Sequence, residues 1–222
     1  MGLSEAHRQR IVVSVDWFPP AFRAGGPIRS TFNLVSLLAN TYDVWVISGA
    51  YDLGQDRPLD IPLDTWQTVE CGAGSIQVMH WTRSNWNVKA WTQILGELNP
   101  DWLHLNSVFS KHFTLIPLRA ARKRGNLRIV LAPRGMLGSA ALSLKPLKKR
   151  LFLSYARATG LFRNMRWHAS TAMERDEVLG QFMNADCRVA QNIPGGSILE
   201  GSPRDTENWN VVSVGRIHRV KN

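Results

Sequence analysis

A chain of 222 residues is long enough for one ordinary core, or for one domain and part of another. Hydrophobic residues make up 44% and charged residues 20%, the balance of a soluble globular chain. The longest apolar run falls well short of the roughly 20 residues a membrane-spanning helix needs, which excludes an integral membrane span.

The first ten residues, MGLSEAHRQR, contain no apolar core of a secretory signal, and Ala6 stands where N-myristoylation requires Ser or Thr. Cys71 and Cys187 are far apart and unpaired by spacing, so they read as reduced thiols of a cytoplasmic protein. The net charge of +10 is unevenly spread. No Asp or Glu lies between Trp102 and Met173, a stretch that holds 14 of the 27 basic residues. Such a block favours an anionic partner: phosphate groups, nucleic acid or an acidic membrane surface.

In chain order, Arg10 to Val15 reads as a buried strand and Pro27 to Ala39 as a helix, with Ile28, Phe32, Val35 and Leu38 on one face. Asp43 to Ser48 is a second strand, Gly49 to Gln67 a polar Pro-rich loop and Ile76 to Trp81 a third strand. Trp91 to Leu98 reads as a helix, Asp101 to Leu105 as a strand and Thr114 to Arg124 as a helix. Next come a strand at Arg128 to Ala132, a long basic helix at Leu144 to Thr159, and a strand at Arg166 to Ala169. Thr171 to Met183 is helical again and Cys187 to Ala190 closes the series as a short strand. This alternation predicts an α/β domain, with a Rossmann-like parallel sheet and helices on both faces. Pro194, Gly195, Gly196, Gly201 and Pro203 break the pattern, so 191–210 reads as a linker after a domain of residues 1–190. A new strand begins at Val211, making 211–222 the start of a second domain.

Ligands of open α/β sheets bind beyond the carboxyl ends of the strands. The first such turn contains Gly25 and Gly26 before Pro27, which lets the backbone approach an anion at a helix N-terminus, or serves as a flexible turn. The fourth strand ends in His104, Asn106 and Ser107, where a structural, hydrogen-bonded role for the histidine competes with a ligand role. The fifth ends in Arg134, with Gly135 behind it; the arginine is either placed to meet phosphate or a sugar hydroxyl or is an ordinary surface residue. Lys145, Lys148, Lys149 and Arg150 lead into an apolar stripe of Leu147, Leu151, Tyr155 and Ala158. That helix either packs its stripe on the sheet or rests on anionic lipid. Histidine and cysteine spacings give no metal site, and no G-x-S-x-G elbow occurs.

Four stretches, FPPAFRAGGPIRS, LHLNSVFSKHFTLIPL, LAPRGMLGSAALSLKPLKKRLF and WHASTAMERDEV, together with the closing VGRIHRVKN, resemble the retaining GT-B glycosyltransferases of family 4, the glycosyl transferases group 1 type. The resemblance implies the N-terminal half of a GT-B fold, in which the first domain holds the acceptor and the second the nucleotide sugar. It implies that Gly25 and Gly26 reach the donor phosphates, and that Arg216 and Lys221 clamp the diphosphate without a metal. A cationic clamp suits a leaving group whose charge grows in the transition state. Arg134 occupies a turn that carries His in many relatives, and Thr171-Ala172 replaces the usual Ser-Glu, with Glu174 nearby. Arg134 is the candidate catalytic residue, and His104, Asn106, Ser107, Gly135, Met136, Lys145 and Glu174 the candidate acceptor contacts.

The family's paired-glutamate motif would fall beyond Asn222, so the chain alone is expected to be inactive until a second chain supplies the donor domain. The resemblance further implies transfer of a sugar to a lipid-linked glycan acceptor in cell-surface polysaccharide synthesis, at the inner face of the membrane, with no cofactor beyond the nucleotide-sugar co-substrate. Other readings are a non-catalytic acceptor-binding scaffold, an epimerase of the same architecture, and a nucleic-acid-binding protein, suggested by an isoelectric point near 10.3. Against the last, Phe109, Phe113, Phe152, Tyr155 and Phe162 have core-like spacing, so no nucleic-acid partner is expected.

Overall fold

The computed structural model describes residues 8–72, 74–122 and 124–194. Eight strands form one sheet in the order β3-β4-β2-β1-β5-β6-β7-β8. They are β1 Arg10–Val15, β2 Asp43–Gly49, β3 Gln67–Cys71, β4 Gly74–Trp81, β5 Trp102–Asn106, β6 Arg128–Ala132, β7 Arg166–Ala169 and β8 Asp186–Val189. The helices are α1 Gly26–Leu38, α2 Val88–Leu98, α3 Ile116–Ala121, α4 Ser139–Leu142, α5 Pro146–Ala158 and α6 Ala172–Gln181.

Every neighbouring pair is parallel except β3–β4, a hairpin in which Cys71 faces Gly74. The sheet is therefore mostly parallel, as expected, with one antiparallel edge pair. The sequence QTVEC of β3 is short and alternates between half-buried and exposed positions, as suits an edge strand. Its antiparallel pairing needs only a tight turn, with no crossover helix.

The central strands are continuous apolar runs because both sheet faces are covered. Along β1, Val12 belongs to one core, with Trp91, Leu95, Leu103, Leu118, Leu153 and Val178. Val13 and Val15 belong to the other, with Val35, Ile76 and Phe18. So α1 covers one face, while α2, α3, α5 and α6 contribute to the core on the opposite face. From β1 the chain works outward through β2 to β4, then returns to β5 and works outward the other way to β8. The reversal between β1 and β5 is the topological switch point of a doubly wound fold.

Helix α5 is turned the opposite way from a sheet-packing stripe. Leu153 and Ala156 are buried, while Leu147, Leu151 and Tyr155 are 73%, 72% and 60% exposed. The helix predicted from Thr114 begins earlier, as a π-turn over Lys111–Leu115 capped by Ser110, whose Oγ accepts from Phe113 N–H at 3.1 Å.

Candidate functional site

Hydrogen bonds join the carboxyl ends of β5, β6 and β7, and Asn106 Nδ2 also donates to Ser14 O of β1 at 3.3 Å. The turn after β6 is the most constrained. Arg134 (φ 55°) and Gly135 (φ 70°) are both left-handed, and Met136 N–H closes the turn on Pro133 C=O at 3.2 Å. A left-handed arginine costs on the order of 1 kcal/mol or more, so its surroundings must hold it there. Arg134 Nε and Nη2 both donate to Asn106 Oδ1, at 3.0 and 2.9 Å, and Nη1 donates to Asn192 Oδ1 at 2.9 Å. The guanidinium is thus fixed by neutral amides and keeps its charge. Burial lowers its pKa and the nearby Glu174 carboxylate opposes that.

Glu174 makes no ion pair with Arg134 among the described residues. Its carboxylate, buried at 5% exposure, accepts instead from Gly135 N–H, from Ser170 N–H at 2.6 Å and from Ser170 Oγ at 2.8 Å. Thr171 caps α6, its Oγ1 accepting from Glu174 N–H at 3.0 Å. The pattern is close to a capping box, with the glutamate reaching one residue further back to tie the β6 and β7 turns together.

Asn106 also has a further side-chain partner. Its Nδ2 donates to His104 Nδ1 at 3.2 Å, which leaves the imidazole proton on Nε2. That nitrogen is buried and has no partner among the described residues. Burial holds the His104 pKa well below the ordinary range, and the charges of Arg134 and His168 add to the effect. His104 is a neutral ring behind Asn106, with the His168 ring 5.9 Å away.

Ser107 (φ 76°) is occupied locally: its Oγ donates to Met136 Sδ at 3.1 Å, and Thr114 Oγ1 lies 2.6 Å from its carbonyl. Lys145 precedes α5 in a left-handed conformation (φ 56°), is exposed, and shares no hydrogen bond with the Arg134 group among the described residues. Arg216 and Lys221 lie outside the described residues.

The glycine turn has the geometry of a close-approach loop. Gly25 (φ 71°, ψ −126°) precedes α1, whose first turn contains Pro27, and a Cβ on Gly25 or Gly26 would meet nothing within 4 Å. Only Gly25 needs glycine for its backbone angles; the space before both is open. The loop is held by Asp52, which accepts from the N–H groups of Phe22 (3.0 Å), Arg23 (3.1 Å) and Leu53 (2.7 Å). Burial would raise the Asp52 pKa, but these backbone bonds outweigh it and the net shift is downward. Phe22, Ile28 and Phe32 give the pocket beside the glycines an apolar lining, with Arg29 as its cation.

Three further residues were not anticipated. His168 Nε2 lies 2.9 Å from Ala190 O, and Asn192 meets Arg134 across 58 positions of sequence. Asp16, immediately after β1, receives Ser110 Oγ at 2.7 Å, and burial raises its pKa to about 6. Its place at a strand's carboxyl end was readable; the long-range contacts of the other two were not.

Neither a protein-family model nor a curated protein matches this sequence. Among solved structures, a trehalose-6-phosphate synthase studied with bisubstrate glycomimetics for glycosyl transfer with retention is 14% identical over 79% of this chain and 42% of its own, with a TM-score of 0.41. The Bordetella bronchiseptica enzyme WbmH in complex with NAD+ is 16% identical over 60% of this chain and 42% of its own, with a TM-score of 0.33. A UDP-N-acetylglucosamine 2-epimerase is 11% identical over 84% of this chain and 69% of its own, also at 0.33. The chain spans 42% of the length of the first two. At this similarity the fold assignment rests on the strand order itself.

Proposed function

We propose that this chain is the acceptor-side half of a retaining, metal-independent glycosyltransferase of the hexosyltransferase type. On this reading it directs a sugar from a nucleotide sugar to a lipid-linked glycan acceptor in cell-surface polysaccharide synthesis. The observation that carries the reading is Arg134: a positive charge beyond the strand ends at the switch point, oriented by two amide oxygens and in no ion pair with a carboxylate among the described residues. An immobilised guanidinium of this kind suits recognition of phosphate. The open glycine turn at the start of α1 supports the same reading, since helix N-termini and close backbone approach favour anions. The family resemblance gives the clamp on the leaving diphosphate to Arg216 and Lys221, and Arg134, in the turn that carries His in many relatives, adds a fixed positive charge beside the transferring sugar.

The lipid-linked acceptor and peripheral membrane position are supported by α5. Its exposed Leu147, Leu151 and Tyr155 recur at four-residue spacing, flanked by exposed Lys148, Arg150 and Arg157. An apolar stripe edged with cations is the pattern of a helix lying in a membrane interface. No helix among the described residues is long and apolar enough to cross a membrane.

Saturation-transfer NMR of the full chain with UDP- and GDP-sugars tests the reading. The chain alone should bind these ligands weakly, because the resemblance places the nucleotide sugar in the second domain. Signals on protons flanking the diphosphate should weaken at least about tenfold in affinity in Arg134→Ala, from the loss of a charge-assisted contact. Sugar transfer by the chain alone, or binding that is equal in Arg134→Ala, defeats the reading.

A further inference from the structure

On the side of β1 away from β5 lies a second cavity, of about 220 Å³, between the ends of β1 and β2 and the π-turn. Its walls include Trp17, Tyr51, Trp86 and His112, and its polar groups include Asp16 and Arg83. None of these was singled out by the sequence, and the diphosphate reading uses none of them.

The aromatic walls are held rigidly. Trp86 Nε1 donates to Trp81 O at 3.1 Å, and its ring meets Tyr51 edge-on at 5.8 Å, Phe113 at 5.5 Å and His112 at 4.8 Å. Arg83 lies over the Tyr51 ring at 4.4 Å while its Nη2 donates to Asp56 at 2.7 Å. Gly49 lets the Trp86 ring pack close against the end of β2: a Cβ there would sit 3.0 Å from Asp16 O and 3.2 Å from the Trp86 ring. The Asp16 carboxyl keeps hydrogen-bonding capacity: among the described residues its bonds are to Ser110 Oγ and to its own backbone N–H.

A ligand for this cavity must be apolar on one surface and rich in groups that both donate and accept on its edge. The volume is below the roughly 300–1,000 Å³ of sites for drug-sized ligands, so one ring fits and a nucleotide does not. A hexopyranose meets all three demands. Its axial C–H face suits aromatic walls, and its hydroxyls can donate to a carboxylate.

We propose that this cavity binds one hexopyranose residue, its C–H face against the Trp86 and Tyr51 walls and a hydroxyl on Asp16. Calling that residue the end of the acceptor rests on the glycosyltransferase reading; the sugar site itself does not.

The test is saturation-transfer NMR of the full chain with the methyl glycosides of glucose, galactose, mannose and N-acetylglucosamine, with adenine as a planar control. At least one glycoside should bind with saturation concentrated on ring C–H protons. Trp86→Ala and Asp16→Asn should each weaken it at least about threefold. Trp86→Phe, which keeps an aromatic wall, should retain most binding and guards against a folding defect in the alanine variant. No glycoside binding to the wild-type chain overturns the proposal. So does unchanged binding in Trp86→Ala, or adenine binding better than every glycoside. Arg134→Ala separates the two readings, because it should weaken nucleotide sugars and leave glycosides unchanged. Glycoside binding together with nucleotide-sugar binding that Arg134→Ala leaves equal removes the glycosyltransferase reading alone. Nucleotide-sugar binding that falls in Arg134→Ala without any glycoside binding removes the sugar site alone.

Discussion

Arg134 places two of its N–H groups on a single atom, Asn106 Oδ1, at 3.0 and 2.9 Å. The amide thereby fixes the plane of the guanidinium without neutralising it. Asn106→Asp tests this distinction. The side chain keeps its shape, but a carboxylate now pairs with Arg134 and faces His104 Nδ1, where a donor stood before. Binding of any diphosphate ligand should fall about tenfold or more, and the His104 imidazole should gain a proton more readily. Calorimetry on the variant reads the first effect and histidine NMR titration the second. Undiminished diphosphate binding would mean that the charge of Arg134 is not what the crevice uses.

The glutamate behind this turn carries a different prediction. Three donors converge on the buried Glu174 carboxylate, from Gly135 and Ser170. Glu174→Gln sets an amide N–H₂ against at least one of them and should cost about 1–3 kcal/mol. For a domain of this size each kcal/mol lowers the melting temperature by roughly 2–4 °C. Differential scanning fluorimetry of the variant against wild type measures it. A melting temperature equal to wild type would show that the tie between the β6 and β7 turns is unimportant for stability.

These two turns also show what a sequence can and cannot disclose. The strands that deliver Asn106 and Arg134 are short runs of apolar residues, and such runs declare themselves by composition. That Arg134 ends a strand was therefore legible, while its partner Asn192 was not, because nothing local encodes a contact across 58 positions. The edge strand β3 escaped notice since its five residues alternate weakly and pair through a hairpin rather than a crossover. For α5 the period was readable but not its direction. Two apolar faces lie on that helix, and burial of Leu153 and Ala156 leaves the Leu147, Leu151 and Tyr155 face outward.

That outward face yields the third prediction. If α5 lies on a bilayer, the full chain should sediment with vesicles containing a third anionic phospholipid and remain free of purely zwitterionic ones. Replacing Leu147, Leu151 and Tyr155 by Ser removes most of the buried apolar area, at about 25 cal/mol per Å², and should abolish sedimentation at low salt. Lys148→Glu with Arg150→Glu should weaken binding by about 1 kcal/mol per basic charge lost, and more at low ionic strength. Equal sedimentation of the serine variant would assign the face to something other than lipid.

The last prediction concerns Asp16, whose pKa burial raises from 3.8 to about 6 against the smaller, opposite effect of its Ser110 bond. Arg83, His112, Asp52 and the phenol of Tyr51 line the same cavity and are the other titratable groups in its walls. In the unfolded chain Asp16 loses its proton near 3.8, and in the folded chain near 6, so the native state binds more protons between those values. Stability from this group is fully present below about pH 4 and is lost as pH rises to about 6, by at most about 3 kcal/mol. Asp16→Asn cannot ionise and escapes the loss. It should match wild type near pH 4 and exceed it at pH 7.5, with the difference growing mainly between those limits. Chemical denaturation of both proteins at a series of pH values measures that difference directly, since the remaining groups titrate alike in each. A carboxyl group kept at such a cost in stability at neutral pH is what a binding role for Asp16 requires. A constant difference across the series would show that Asp16 ionises normally and would remove this support for the sugar site.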